Sequence, residues 1–159
     1  MVDGCPVVQL SDTAVDVQLV LNALYENRSY NFNDPKPGPL SVVAAFLRLG
    51  KKYEIDSLRA EAECRLAAHF PSSLKDWDRS LSAIGPSLIQ YYRGLEFDVA
   101  NLARDQNLLS ILPAALYSCS LLGMREILRG ISIGSGKVVS LSSYDRDVCL
   151  LGRDRLISE

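Results

Sequence analysis

The run Leu40-Ser41-Val42-Val43-Ala44-Ala45-Phe46-Leu47-Arg48-Leu49-Gly50-Lys51-Lys52-Tyr53 limits the folds open to this chain more than any other segment does. At helical spacing its apolar side chains cover most of the circumference, and such a helix needs neighbours on more than one side. The rest of the chain must therefore wrap around it. Enough material exists for that, because 48% of the 159 residues are hydrophobic, which favours a packed core over disorder.

The flanking segments read as the wrapping elements. Pro6-Val7-Val8-Gln9-Leu10 is short and β-branched, as expected of a strand, and Ser11-Asp12-Thr13 stops it while offering oxygens to cap a helix. That helix runs from about residue 13 to Tyr25, with Val17, Val20, Leu21 and Leu24 on one face and Asp16, Gln18 and Asn22 toward the other. Thr13 and Asp16 make a variant of the capping box. From Asn27 to Pro39, three prolines, one glycine and several Asn and Asp residues break the helix into a solvated loop.

Beyond the central segment, Asp56 caps a helix to about Phe70, with Leu58, Ala62, Leu66 and Ala67 inward and Arg59, Glu61, Glu63 and Arg65 outward. Pro71-Ser72-Ser73 ends it, and Leu74 to Trp77 reads as a turn. After a loop at Gly85-Pro86 come a helix over roughly Phe97 to Gln106 and another opening near Pro113, joined by Leu108, Leu109, Ile111 and Leu112 as an apolar hinge. A glycine-rich break covers Gly130 to Gly136, Val138-Val139-Ser140-Leu141 adds an extended piece, and Ser142 or Ser143 caps a last helix. No fixed-period repeat emerges.

Charge and cysteine usage narrow the function classes. With 17 Lys and Arg against 19 Asp and Glu the net charge is −2, so nothing draws the chain toward nucleic acid or an anionic membrane surface. Cys5, Cys64, Cys119 and Cys149 stand far apart, unlike a zinc knuckle or a dense disulfide framework, and read as small buried hydrophobes in a reducing compartment. The segment Met1-Val2-Asp3-Gly4-Cys5-Pro6 lacks the features of a signal peptide, and no stretch nears the roughly 20 apolar residues that span a bilayer. A soluble intracellular protein, cytoplasmic or nuclear, is expected.

Reactive patterns are few. Gly130-x-Ser132-x-Gly134 matches the nucleophile-elbow pattern, yet that motif requires a strand-to-helix turn and a later histidine, and the one histidine, His69, lies far upstream. Gly134-Ser135-Gly136-Lys137 hints at a phosphate loop, but Ile131 and Val138 stand where the pattern needs Gly and Ser or Thr. Cys64 and His69 supply at most two metal ligands, and a histidine at a helix C-terminus has a macrodipole role of its own. Asn27-Arg28-Ser29 fits the glycosylation sequon, without the secretory signal that would bring it to that machinery. Asp76 with Asp78 and Asp145 with Asp147 sit amid Lys and Arg as surface charge does. Trp77, Tyr91, Tyr92 and Phe97 are partner-anchor candidates, although core packing is the commoner fate of such rings in a small helical region. No cofactor is implied.

The order of strand, helix ending in Leu24-Tyr25, proline-rich loop, Val43-to-Tyr53 run and Asp56-to-Phe70 helix resembles the C-terminal half of a BTB/POZ domain. Among such proteins, those of mushroom-forming fungi carry runs similar to Pro6-to-Asp12, to Ala44-Ala45-Phe46-Leu47-Arg48-Leu49-Gly50 and to Asn101-to-Tyr117. The resemblance covers about Cys5 to Arg153. It implies a mainly α fold: residues 1–70 as a partial BTB/POZ (α+β) domain with one short strand, and 71–159 as a BACK-like helical extension. The strand pair and helical hairpin that open a complete BTB domain do not precede Met1, so the resemblance implies an N-terminally truncated domain. Faces around Val17, Val20 and Phe46 would then be partly exposed.

BTB proteins dimerise and recruit cullin-type ubiquitin ligases, so the resemblance implies an adaptor or assembly module without catalysis, acting on protein partners through self-association or a cullin-type scaffold. The residues expected to bind are Val17, Val20, Leu21, Leu24 and Tyr25, with the adjacent Asn27-to-Pro39 loop. The alternatives are a small serine hydrolase using Ser132 and a nonfunctional gene fragment.

Overall fold

The computed structural model describes residues 3–25, 36–82, 87–134 and 136–158 and forms, within them, eight helices and one two-stranded sheet. The Asn27-Arg28-Ser29 sequon, most of the proline-rich loop, Gly85-Pro86 and Ser135 lie outside the described residues.

Helix α1 (Ala14–Tyr25) starts where Thr13 caps it: the Asp16 N–H donates to Thr13 Oγ1 at 3.1 Å and the Val17 N–H to the Thr13 carbonyl at 3.1 Å. Helix α2 (Leu40–Lys52) buries nine of its 13 residues and packs against α1, against α3 (Asp56–His69) and against α5 (Leu95–Gln106). The central role expected of this segment is the one it has. Phe46 is fully buried and Val20 nearly so, which corrects the expectation of partly exposed faces there: the three neighbouring helices close over them. Gly50 makes the α2–α3 corner possible. A Cβ at that position would stand 3.2 Å from both the Arg59 nitrogen and the Ile55 carbonyl oxygen.

The inner stripe of α3 is Leu58, Ala62, Arg65 and Leu66, so Arg65 takes the inward place expected of Ala67, which is exposed. Its charge is compensated there. Arg65 Nε donates to Glu61 Oε1 at 2.6 Å and Nη1 to the carbonyls of Leu88 at 3.3 Å and Lys36 at 3.5 Å. The same two stretches bond each other, Gly38 N–H to the Leu88 carbonyl at 3.1 Å and Gln90 N–H to the Gly38 carbonyl at 2.8 Å.

The residues from Leu74 to Trp77 are not an isolated turn but the start of α4 (Leu74–Ser82), because Ser73 caps it: the Asp76 N–H donates to Ser73 Oγ at 3.1 Å, and that hydroxyl donates to Asp76 Oδ2 at 2.6 Å. Helix α6 (Leu112–Ser120) has Pro113 in its first turn, as expected, and α7 (Met124–Arg129) follows it. The glycine-rich break is a hairpin, β1 (Ile131–Ile133) antiparallel to β2 (Lys137–Val139) with Ile131 opposite Val139. Ser142 caps α8 (Ser143–Ser158), accepting from the Asp145 N–H at 3.0 Å.

The expected strand at Pro6 to Leu10 is not formed. These residues belong to no helix or strand and are exposed, since a β-branched run becomes a strand only where a neighbouring strand pairs with it, and no such pairing of residues 6–10 is found among the described residues. The only sheet among the described residues is the distant hairpin. One apolar core runs through both halves, from Val20 and Phe46 through Leu66, Phe97 and Ala115 to Cys149. No helix among the described residues is long and apolar enough to cross a membrane.

Candidate interaction surface

Residues 11–25 are fixed to α2 by charged contacts. Arg48 grips Asp16 with both ends of its guanidinium, Nε to Oδ2 at 2.8 Å and Nη2 to Oδ1 at 2.7 Å, and those hydrogen bonds hold the Asp16 carboxyl below the usual carboxylate range. One turn on, Lys52 Nζ reaches Asp12 Oδ1 at 2.8 Å and Ser11 Oγ at 2.9 Å, while the Tyr53 hydroxyl donates to Asp12 Oδ2. The Lys52 contact, with Tyr53 second, likewise lowers the Asp12 pKa.

This clamp decides which way α1 faces. Asp16, Val20 and Ala23 form its buried stripe, so Asp16 lies inside rather than on the polar side expected of it, drawn in by Arg48. The five residues expected to bind are divided accordingly. Val20 is core, and Val17 is half-buried against the core. Leu21, Leu24 and Tyr25 face solvent with 46%, 47% and 83% of their surface exposed. Positions 17, 21, 24 and 25 fall at i, i+4, i+7 and i+8, one continuous helical stripe. Val7, Val8 and Leu10, just before the clamp, are also exposed, at 64%, 77% and 51%. Residues 7–25 thus present seven large apolar side chains to water once Val15 is added to these six. Of this set the sequence reading missed the outward Val7, Val8 and Leu10, having assigned them to a strand.

The groups considered for chemistry are dispersed. His69, on the last turn of α3, makes its contact with Ser87, Nδ1 to Oγ at 2.8 Å. The Ser87 hydroxyl donates to the Ile89 carbonyl at 2.6 Å, so its proton is committed and Nδ1–H of His69 donates to that oxygen rather than drawing a proton from it. Burial lowers the His69 pKa from its ordinary value. Ser132 is exposed in the middle of β1, paired across the sheet with Val138, and its strand leads into another strand rather than into the helix an elbow requires. Lys137 opens β2, not a helix N-terminus. Cys64 is exposed, and no group of three His, Cys, Asp or Glu among the described residues is placed to hold a metal ion.

The other singled-out residues also find definite places. Asp145 is not surface charge: it is almost completely buried, paired with the Arg104 guanidinium of α5 and hydrogen-bonded by Ser142 Oγ at 2.9 Å. Phe97 is fully buried, and the Tyr92 hydroxyl donates to Asp98 at 2.6 Å, whereas Tyr91 is exposed. Trp77 meets Tyr117 edge-on, with ring centroids 5.4 Å apart, at the side of a cleft of about 480 Å³ between α4 and α6 that Pro71, Leu74 and Pro113 also line. No known protein family, curated protein or solved structure matches the chain.

Proposed function

We propose that the chain is a protein–protein interaction module of the BTB/POZ type, with residues 7–25 as its binding surface and a second copy of the chain as the occupant. The observation carrying this reading is the exposed apolar set Val7, Val8, Leu10, Leu21, Leu24 and Tyr25 on a segment that two charged contacts hold in place. Side chains of this kind are left in water by a folded protein chiefly where another surface covers them. Holding Leu21, Leu24 and Tyr25 on an anchored helix lowers the ordering cost of association. The order of helices α1 to α3, without the strand that opened the resemblance, is what remains of the likeness to the C-terminal half of a BTB/POZ domain; it supports self-association, because members of that family dimerise, and an adaptor role of the kind those members play with cullin-type ligases. A helical continuation like the BACK region, over residues 71–159, accounts in the same reading for α4 to α8.

Size-exclusion chromatography with light scattering tests it. The wild-type chain is expected to elute as a dimer, and a Leu21→Asp, Leu24→Asp double variant as a folded monomer with an unchanged circular dichroism spectrum. A wild-type chain that is monomeric throughout the concentration range, or a double variant that stays dimeric, refutes the surface and the occupant together. Hydrolysis by Ser132 is the competing class: ester turnover by the wild type that Ser132→Ala abolishes would establish it.

A further inference from the structure

We propose that the cleft between α4 and α6 receives a trimethylated lysine side chain of a partner protein. The local sequence builds its walls. Pro71 follows the end of α3, Ser73 caps α4, and Leu74, Trp77 and Asp78 then fall at i, i+3 and i+4 on one face of that helix. Pro113 in the first turn of α6 and Tyr117 one turn later form the other side. Helix α4 is shallowly seated: among its described side chains Trp77 alone is half-buried, and the others are exposed. A cleft of about 480 Å³ therefore stays open between the two helices, bridged by the Trp77–Tyr117 contact.

Its rings and its charge suit a cation. The two rings meet at 83° with centroids 5.4 Å apart, so they stand as two walls of a corner. In an edge-to-face pair the positive edge of one ring rests on the negative face of the other, and the faces left uncovered are the negative ones. Such faces attract a positive charge placed over them. Asp78 adds a carboxylate to the same lining, while its neighbours Asp76 and Arg79 pair with each other and Lys75 is not part of the lining. A carboxylate accepts several contacts at once, so a cation adds to what Asp78 already holds.

The rest of the lining decides which cation. Pro71, Leu74 and Pro113 offer no side-chain acceptor, so a bare ammonium, compact and strongly hydrated, would give up its water there without replacement. Methylation keeps the charge, and three methyl groups remove every N–H, so aromatic and apolar walls take the place of water at little cost. The cleft, at about 480 Å³, is larger than a methylated nitrogen alone fills, and it lies within the roughly 300–1,000 Å³ of pockets that bury longer ligands. Leu74, 76% exposed, and the exposed Pro113 cover the methylene stem of a lysine entering from solvent. A side chain borne by a protein, rather than a free quaternary amine, is therefore the occupant. The site shares no residue with the segment 7–25 and does not rest on self-association.

The chain has a single tryptophan and it lies in this cleft, so the intrinsic fluorescence of the full chain reads occupancy directly. The probe is a blocked pentapeptide of alanine and serine with trimethyllysine at its centre, and a saturable fluorescence change is expected. The same peptide with unmodified lysine, or with a neutral tert-butyl group in place of the trimethylammonium, should bind about tenfold more weakly or not at all. Choline, which lacks the stem, should also be weaker. Tyr117→Leu and Asp78→Asn should each weaken the trimethyllysine peptide by about threefold or more with a native circular dichroism spectrum. Asp78→Asn, at an exposed position, keeps the Trp77–Tyr117 contact and so carries the test even if Tyr117→Leu unfolds. The absence of a saturable signal overturns the proposal, as does equal binding of the neutral isostere or unchanged affinity in Asp78→Asn. Choline binding as tightly as the peptide, or tighter saturation by a proline hexapeptide, overturns the assigned occupant.

Discussion

Residue identity misleads most where a charged side chain lies inside. Helical periodicity places Arg65 and Asp16 on solvent faces, and charged neighbours do the same for Asp145, yet all three are buried. Two of them are compensated by a charge far away in sequence, Arg48 lying 32 positions from Asp16 and Arg104 41 from Asp145, whereas Arg65 pairs with Glu61 one turn back on its own helix. Periodicity sees only the helix to which a residue belongs, so a partner on another helix leaves no trace in it. Arg104→Ala should therefore cost about 1–3 kcal/mol in urea denaturation, since it leaves a buried carboxylate with fewer partners, partly offset by water entering on the exposed side of the arginine. A loss near zero would mean that Asp145 is satisfied without it. His69 supplies a second test with a definite sign. Burial depresses its pKa below 6.5 in the folded chain, so as the pH falls the unfolded chain takes up the proton first. The stabilisation is fully present above about 6.5 and is lost on descending from there toward the folded value. Denaturation at neutral pH and near pH 5 should show this loss in the wild type and a shallower one in His69→Gln, and equal slopes would place the titration elsewhere.

Elements were easier to read than residues. The helices over 14–25, 40–52 and 56–69 follow from apolar spacing and, for the first, from the Thr13 cap, and the structure places their ends within a residue or so. Asp56, however, is the first helical residue of the third rather than its cap, which falls at Ile55 without a side-chain hydrogen bond. The strand at Pro6 to Leu10 was misjudged because strand composition reports a taste for pairing, not the presence of a mate. The 131–139 hairpin was half legible: Val138 and Val139 pointed to extended backbone, while Gly130, Gly134 and Gly136 hid the partner strand. Gly130 has a structural reason of its own. Its φ is +79°, and a Cβ there would come within 2.5 Å of the Val139 carbonyl oxygen, so the chain enters the hairpin only through glycine. Gly130→Ala should destabilise the protein by about 1–3 kcal/mol, while Ser132→Ala and Gly134→Ala, at open positions, should stay within about 0.5 kcal/mol of wild type or little beyond it. Equilibrium unfolding of the three variants decides whether the glycine-serine-glycine spacing reflects backbone geometry.

Across the whole molecule, the two-part division at residue 70 can be tested through the single tryptophan. Trp77 lies beyond that division and packs on Tyr117, so its fluorescence follows the second half, whereas far-ultraviolet circular dichroism follows every helix. Because one apolar core joins the halves, the two signals should give coincident urea transitions. A fluorescence transition separated from the dichroism transition would mean that the halves melt independently. What sequence could reveal of the candidate surface follows the same logic. The apolar character of Val17, Leu21, Leu24 and Tyr25 was readable, but their division into core and outward stripe depended on the Arg48–Asp16 clamp, a fact about two helices together.

The grip of Arg65 on the Leu88 carbonyl bears on the order in which the protein is made. While a ribosome is still producing residues 71 to 87, the third helix is complete in sequence, yet its inward guanidinium lacks an oxygen that arrives only later. Glu61 and the Lys36 carbonyl are already present by then, so a chain halted at residue 70 would keep the ion pair within the third helix and lack only the oxygen that ties this arginine to the later stretch.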